Sequence, residues 1–128
     1  MVPLSFVLVL ALGGALAIVG VNLPLVEPGI ALSLVVLGLF IAAAVRLPLM
    51  ASAAIVSVFA LMHGYAHGSE IPSATSGLPY VAGFMLATVG LNAAGIGFGQ
   101  LMRNRHASQV IRVAGAAIAL CGVYLGMR

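Results

Sequence analysis

An all-α membrane protein is what this sequence predicts: a polytopic transmembrane helix bundle of about five spans, forming one domain over residues 1–128. Three observations carry the prediction. Of 128 residues, 63% are apolar, and the mean hydropathy is +1.27. Only five Arg and two Glu carry charge, and at 5% charged residues no water-facing surface can be covered, since soluble domains carry about 25%. The charge-free residues also fall into five stretches close to the roughly 20 residues that cross a hydrocarbon core of about 30 Å.

The first stretch, Leu4–Val21, follows Met1-Val2-Pro3 without the positively charged leader of a secretory signal. The second, Gly29–Val45, is the shortest. Pro28 suits a first helical position there, and Glu27 before it favours the positive end of the helix dipole. The third and fourth are Leu49–Gly68 and Leu78–Met102, and the last is Val110–Met127. Pro24, Pro48 and Pro72 fall between stretches, where helices stop. The apolar runs lack the strict alternation of a transmembrane barrel, and helices satisfy every backbone group in lipid.

Five spans put Arg46, Arg103, Arg105 and Arg112 on one face of the membrane, and Glu27, Glu70 and Arg128 on the other. Arginine in short connections marks the cytoplasmic side, so the N-terminus is expected inside and the C-terminus outside. The five Arg are scattered without interleaved aromatics, which argues against a nucleic-acid partner. His106, between these arginines, reads as a solvated loop residue. The single Cys121 cannot form an intrachain disulfide. Gly64/Gly68, Gly95/Gly99 and Gly122/Gly126 are G-x-x-x-G pairs, expected to let helix backbones approach closely.

Chemistry concentrates at the end of the third span, in Met62-His63-Gly64-Tyr65-Ala66-His67-Gly68-Ser69-Glu70. At about 100° per residue, His63, His67 and Glu70 fall at roughly 0°, 40° and −20° on one helical stripe. Two imidazoles and a carboxylate are donors suited to Ni²⁺, Co²⁺, Zn²⁺ or Fe²⁺. A His pair in lipid also serves to hydrogen-bond across a bundle. Yet intramembrane ionisable groups are costly and mark ion or proton pathways, and this chain places two of its three His here. On the fourth span Thr88, Asn92, Gly95 and Gly99 share a polar, small face. Thr88 and Asn92 are further candidates for a path lining, with Asn92 expected deeper than His63. An interhelical hydrogen bond is the alternative role for Asn92. Tyr65 falls opposite the stripe and reads as packing.

The same nine residues resemble the second signature of the HupE/UreJ family, H-G-x-A-H-G-x-E, with Met62 where Phe is usual. The resemblance extends along the fourth span from Gly83 to Gly97, where Asn92 stands in place of a His frequent in that family. It implies a hydrogenase- or urease-accessory membrane protein, regarded as a nickel and sometimes cobalt permease, with metal ligands at His63, His67 and Glu70. The family's first signature, H-x5-D-H, needs an Asp, and this chain has none. The expectation is therefore of a truncated start that lacks one N-terminal helix with further ligands.

The function expected is a multi-pass permease of the bacterial inner membrane. It would carry a divalent ion, nickel first with Co²⁺ or Zn²⁺ as alternatives, for hydrogenase or urease maturation. Glu70 would stand at the outer mouth with His67 and His63 successively deeper, a ladder of weak ligands from which an ion can also leave. No tightly bound cofactor is expected. Beyond the bilayer and the ion, the expected partners are a second copy or a metallochaperone acceptor. A non-transporting accessory or metal-binding protein is the alternative. An intramembrane metallohydrolase is disfavoured because Gly64 stands where H-E-x-x-H has Glu. A haem protein is disfavoured because both His lie on one helix, whereas axial ligands usually face each other from different helices. No enzyme activity is expected.

Overall fold

A computed structural model describes residues 2–71, 77–101 and 105–128, with side chains at 77, 78 and 105–107 outside the description. Five helices follow one another: α1 Val2–Ile18, α2 Val26–Ala42, α3 Leu49–Ser69, α4 Gly77–Leu101 and α5 Arg105–Gly126. No strand occurs among the described residues. Helices α3, α4 and α5 are long and apolar enough to cross a membrane. Helices α1 and α2 have 17 residues each, about 25 Å at 1.5 Å per residue, close to the short limit for a span.

Helix ends explain where the boundaries depart from the charge-free stretches. Gly20 takes a positive φ of 80° after α1. Its N–H donates to the Ala17 carbonyl and that of Val21 to Leu16, a Schellman stop that ends the helix three residues before Val21. Helix α2 ends the same way on Ala44 at φ 52°, with Val45 N–H donating to Phe40. Pro28 is not the first residue of α2. The helix opens at Val26 behind Leu25 in the left-handed region, and proline is accommodated in a first turn whose N–H groups need no helical acceptor. Helix α5 starts five residues before Val110, so Arg112 lies within a helix rather than beside one. His106 also belongs to the first turn of α5 rather than to a loop. Arg103 and Pro72, and the side chains of Arg105 and His106, lie outside the described residues.

The helices pack in the spatial order α4–α1–α3–α2–α5, an open row rather than a closed ring among the described residues. Backbone proximity holds the strongest pairs together. In the parallel α1/α3 pair, a Cβ on Gly64 would strike the Leu10 backbone, and one on Gly68 would lie 2.6 Å from the Gly14 oxygen. In the antiparallel α2/α5 pair, Gly38 faces Gly115 and Ala119, while Gly122 faces Ala31 and Val35. Such small-residue contacts maximise dispersion where lipid provides no hydrophobic drive between helices. The buried apolar residues are accordingly few, among them Leu10, Ala31, Phe59, Ala60 and Ala119. Large side chains such as Leu86, Leu91 and Leu101 are 74–79% exposed, so the molecule turns its apolar bulk outward, as a membrane protein does.

Gly95 and Gly99 depart from the packing expected of them. A Cβ at either would meet nothing within 4 Å, because α4 touches the row only through limited contact with α1 and the α3 imidazole described below. The alternating helix directions leave Arg46 and Arg112 at one end, where Arg112 Nε donates to the Ala42 carbonyl over 2.7 Å and caps α2. Glu27 in the first turn of α2, Glu70 at the end of α3 and Arg128 after α5 occupy the opposite end.

Candidate metal path

Helix α3 continues to Ser69, with Glu70 as its C-cap, so His63, His67 and Glu70 do share one stripe near its end. The carboxylate stands beside the unpaired carbonyls of a helix C-terminus, the negative end of the dipole, and is 70% exposed. That position does nothing for helix stability and makes the mouth attractive to a cation. His67 Nδ1 lies 3.8 Å from Glu70 Oε2, close enough for the two to act on one ion in succession.

His67 also tilts against Phe84 of α4, with ring centroids 4.5 Å apart at 41°. The pair divides two spaces. Toward the Glu70 end lies an apolar cleft of about 130 Å³ bordered by Gly68, Ile71 and Tyr80. On the other side is a wide chamber of about 550 Å³, a groove largely open to one side, between α1, α3 and α4 and bordered by His63, His67, Thr88 and Asn92. Phe6 and Leu10 of α1 and Leu91 and Ile96 of α4 provide apolar walls. Asn92 thus borders the same chamber as His63, and since His67 meets Phe84 on the oppositely directed α4, Asn92 lies eight residues further along that helix, toward the level of Phe59. Gly95 borders the same space, which gives its missing side chain a role as clearance instead of helix packing.

His63 is held by its own helix. Nδ1 lies 2.9 Å from the Phe59 carbonyl, which can only accept, so in the neutral ring the lone pair is on Nε2. Gly64, buried against Leu10, sets the close approach of α1 that forms the chamber wall beside it. Among the described residues no three His, Cys, Asp or Glu side chains converge to hold one ion together. His63, His67 and Glu70 are thus spaced along a stripe and do not form one coordination sphere. The residues that sequence reasoning missed are Phe84 and the α1 wall, Phe6 and Leu10. They bear no polar or charged group, and only three-dimensional proximity reveals them.

Helices that turn their apolar bulk outward around a small-residue core, with two imidazoles bordering an open groove between α1, α3 and α4, define a polytopic membrane protein. Comparison with known proteins gives the family. The HupE / UreJ protein family model matches residues 1–125, and the chain belongs to that family. It is 46% identical over 124 residues to Protein HupE of Rhizobium leguminosarum bv. viciae. The match covers 97% of this chain and 65% of that relative, so the chain spans just under two thirds of the relative's length. No solved structure matches it. The family is one of membrane accessory proteins, not of enzymes.

Proposed function

We propose that this protein is a permease for a divalent transition-metal ion, nickel first, which supplies hydrogenase or urease maturation from the inner membrane of a bacterium. The observation that carries the proposal is the continuity of the stripe. An exposed carboxylate leads to His67, 3.8 Å away, and His67 borders the chamber that His63 also lines. Family membership supports the accessory role. With Arg46 and Arg112 toward the cytoplasm, Glu70 faces outward and the ion enters there.

Each station has a distinct task. Glu70 and the helix C-terminus concentrate the cation and begin to replace its water. His67 takes the ion past Phe84 into the chamber. His63 offers Nε2 about 6 Å further along the helix axis, four residues at 1.5 Å each. Because no station closes a full coordination sphere, none holds the ion too tightly for release. The ion is cargo, delivered on the inner side to a soluble acceptor.

Uptake of radioactive nickel by nickel-limited cells expressing the chain tests this reading. His63→Ala and Glu70→Gln should each abolish uptake while membrane insertion persists. Uptake at the unaltered level in both variants would refute it. Insertion without uptake even by the unaltered chain would instead favour a non-transporting accessory protein.

A further inference from the structure

The chamber carries more information than the stripe that leads to it. Three of its polar side chains are anchored in the same way, each through its donor to a carbonyl one turn back on its own helix. His63 Nδ1 binds the Phe59 carbonyl over 2.9 Å. Thr88 Oγ1 donates to Phe84 over 2.8 Å, and Asn92 Nδ2 donates to Thr88 over 2.9 Å. These bonds fix the remaining chemistry. A hydroxyl whose single hydrogen is engaged has only lone pairs left, and an amide whose nitrogen faces a carbonyl turns Oδ1 elsewhere. What remains is Nε2 of His63, Oγ1 of Thr88 and Oδ1 of Asn92, with one N–H of Asn92 as the sole donor left on these three groups. Thr88 is 9% exposed, the one buried residue among the described side chains of α4. No buried polar side-chain atom among the described residues lacks a partner, and His63, Thr88 and Asn92 all border the chamber.

A chamber edged by acceptors suits a guest that presents donors. A bare ion is far too small for about 550 Å³, whereas water occupies about 30 Å³ per molecule in the liquid. A divalent ion with its six waters needs roughly 180 Å³ at that density, so it enters the groove without shedding its shell and presents acidic O–H groups outward in all directions. We propose that the chamber is a second cation station, in which His63 Nε2 replaces one water of a hydrated divalent ion while Thr88 and Asn92 accept hydrogen bonds from waters that remain bound. Neither Thr88 nor Asn92 touches the metal. They hold its shell, much as outer-shell partners tune metal sites elsewhere. The inference rests on the metal-path reading above and adds the form in which the ion travels. A six-coordinate aqua ion such as Ni²⁺ or Co²⁺ is favoured over Zn²⁺ in a closed tetrahedral site.

The test is titration of the purified full chain in detergent with Ni²⁺, followed by calorimetry, and with Co²⁺, followed by absorption. Thr88→Val and Asn92→Leu preserve shape and remove the acceptors. Each should weaken Ni²⁺ binding by roughly 10- to 100-fold, the range typical of lost outer-shell partners. Asn92→Asp keeps an acceptor and adds charge, so it should bind at least as tightly as the unaltered chain. That comparison separates a ligand role from a folding defect, as does an unchanged unfolding temperature. The Co²⁺ spectrum should be weak, as for six-coordinate oxygen-rich sites, and not the intense band of a tetrahedral ion. Unaltered affinity in both Thr88→Val and Asn92→Leu, with binding lost in His63→Ala, would overturn the inference and leave the metal path standing. Unaltered affinity in all three would overturn both.

Discussion

Replacing Gly68 by alanine tests the packing that builds the metal path. The new Cβ would lie 2.6 Å from the Gly14 oxygen, 2.8 Å from Gly14 Cα and 3.0 Å from the Ala17 Cβ. Carbon atoms prefer about 3.5–4.0 Å, so α1 and α3 must separate by roughly 1 Å. Both nearest atoms are backbone, so no side-chain rotation relieves the contact. Overpacking of this kind costs about 1–3 kcal/mol. Gly90 of α4 is the control, since a Cβ there meets nothing within 4 Å. Gly90→Ala should be neutral or gain up to about 1 kcal/mol in helix propensity. Thermal unfolding in one detergent, followed by circular dichroism, reads the difference. Because Gly68 adjoins His67, the separation should also weaken Ni²⁺ binding. If Gly68→Ala unfolds no more easily than Gly90→Ala, the close approach of α1 and α3 is wrong.

Three further outcomes follow from single residues. Glu70→Gln removes a carboxylate from the negative end of α3, so its unfolding temperature should equal or exceed that of the unaltered chain while nickel uptake is lost. Ala44 sits at φ 52°, a left-handed conformation that costs a side-chain-bearing residue roughly 1–2 kcal/mol. Ala44→Gly should therefore raise thermal stability, and an unchanged or lower midpoint would argue against that turn. Phe84→Leu removes the ring beside His67, worth about 0.5–1.5 kcal/mol beyond burial for an aromatic pair. Stability should fall by about that amount, as chemical unfolding in detergent can measure.

The five helices were legible because charge-free runs of near-membrane length have few other uses. Their ends were less so. Charges bound the apolar stretch but not the helix, and α5 begins at Arg105, a polar turn before the apolar run that starts at Val110. The stop at Gly20 is visible as a glycine, whereas the same stop at Ala44 carries no residue signature. Periodicity alone placed His63, His67 and Glu70 on one stripe, since that depends only on the helix continuing. It also put Thr88, Asn92 and Gly95 on one face, but not facing the same groove as His63. That depends on how α4 leans on α1 and α3, which no pattern within either helix encodes. Gly95 and Gly99 show the converse limit: G-x-x-x-G spacing signals that close approach is permitted, not that a partner is present.

The central claim is that imidazoles of this stripe hold the ion in transit. X-ray absorption at the nickel edge, on the purified chain loaded with one equivalent of Ni²⁺, addresses it directly. The account predicts a six-coordinate nitrogen and oxygen shell with the outer-shell scattering of imidazole, lost in the His63→Ala/His67→Ala double variant. A spectrum without imidazole scattering, or one unchanged in that variant, would contradict it.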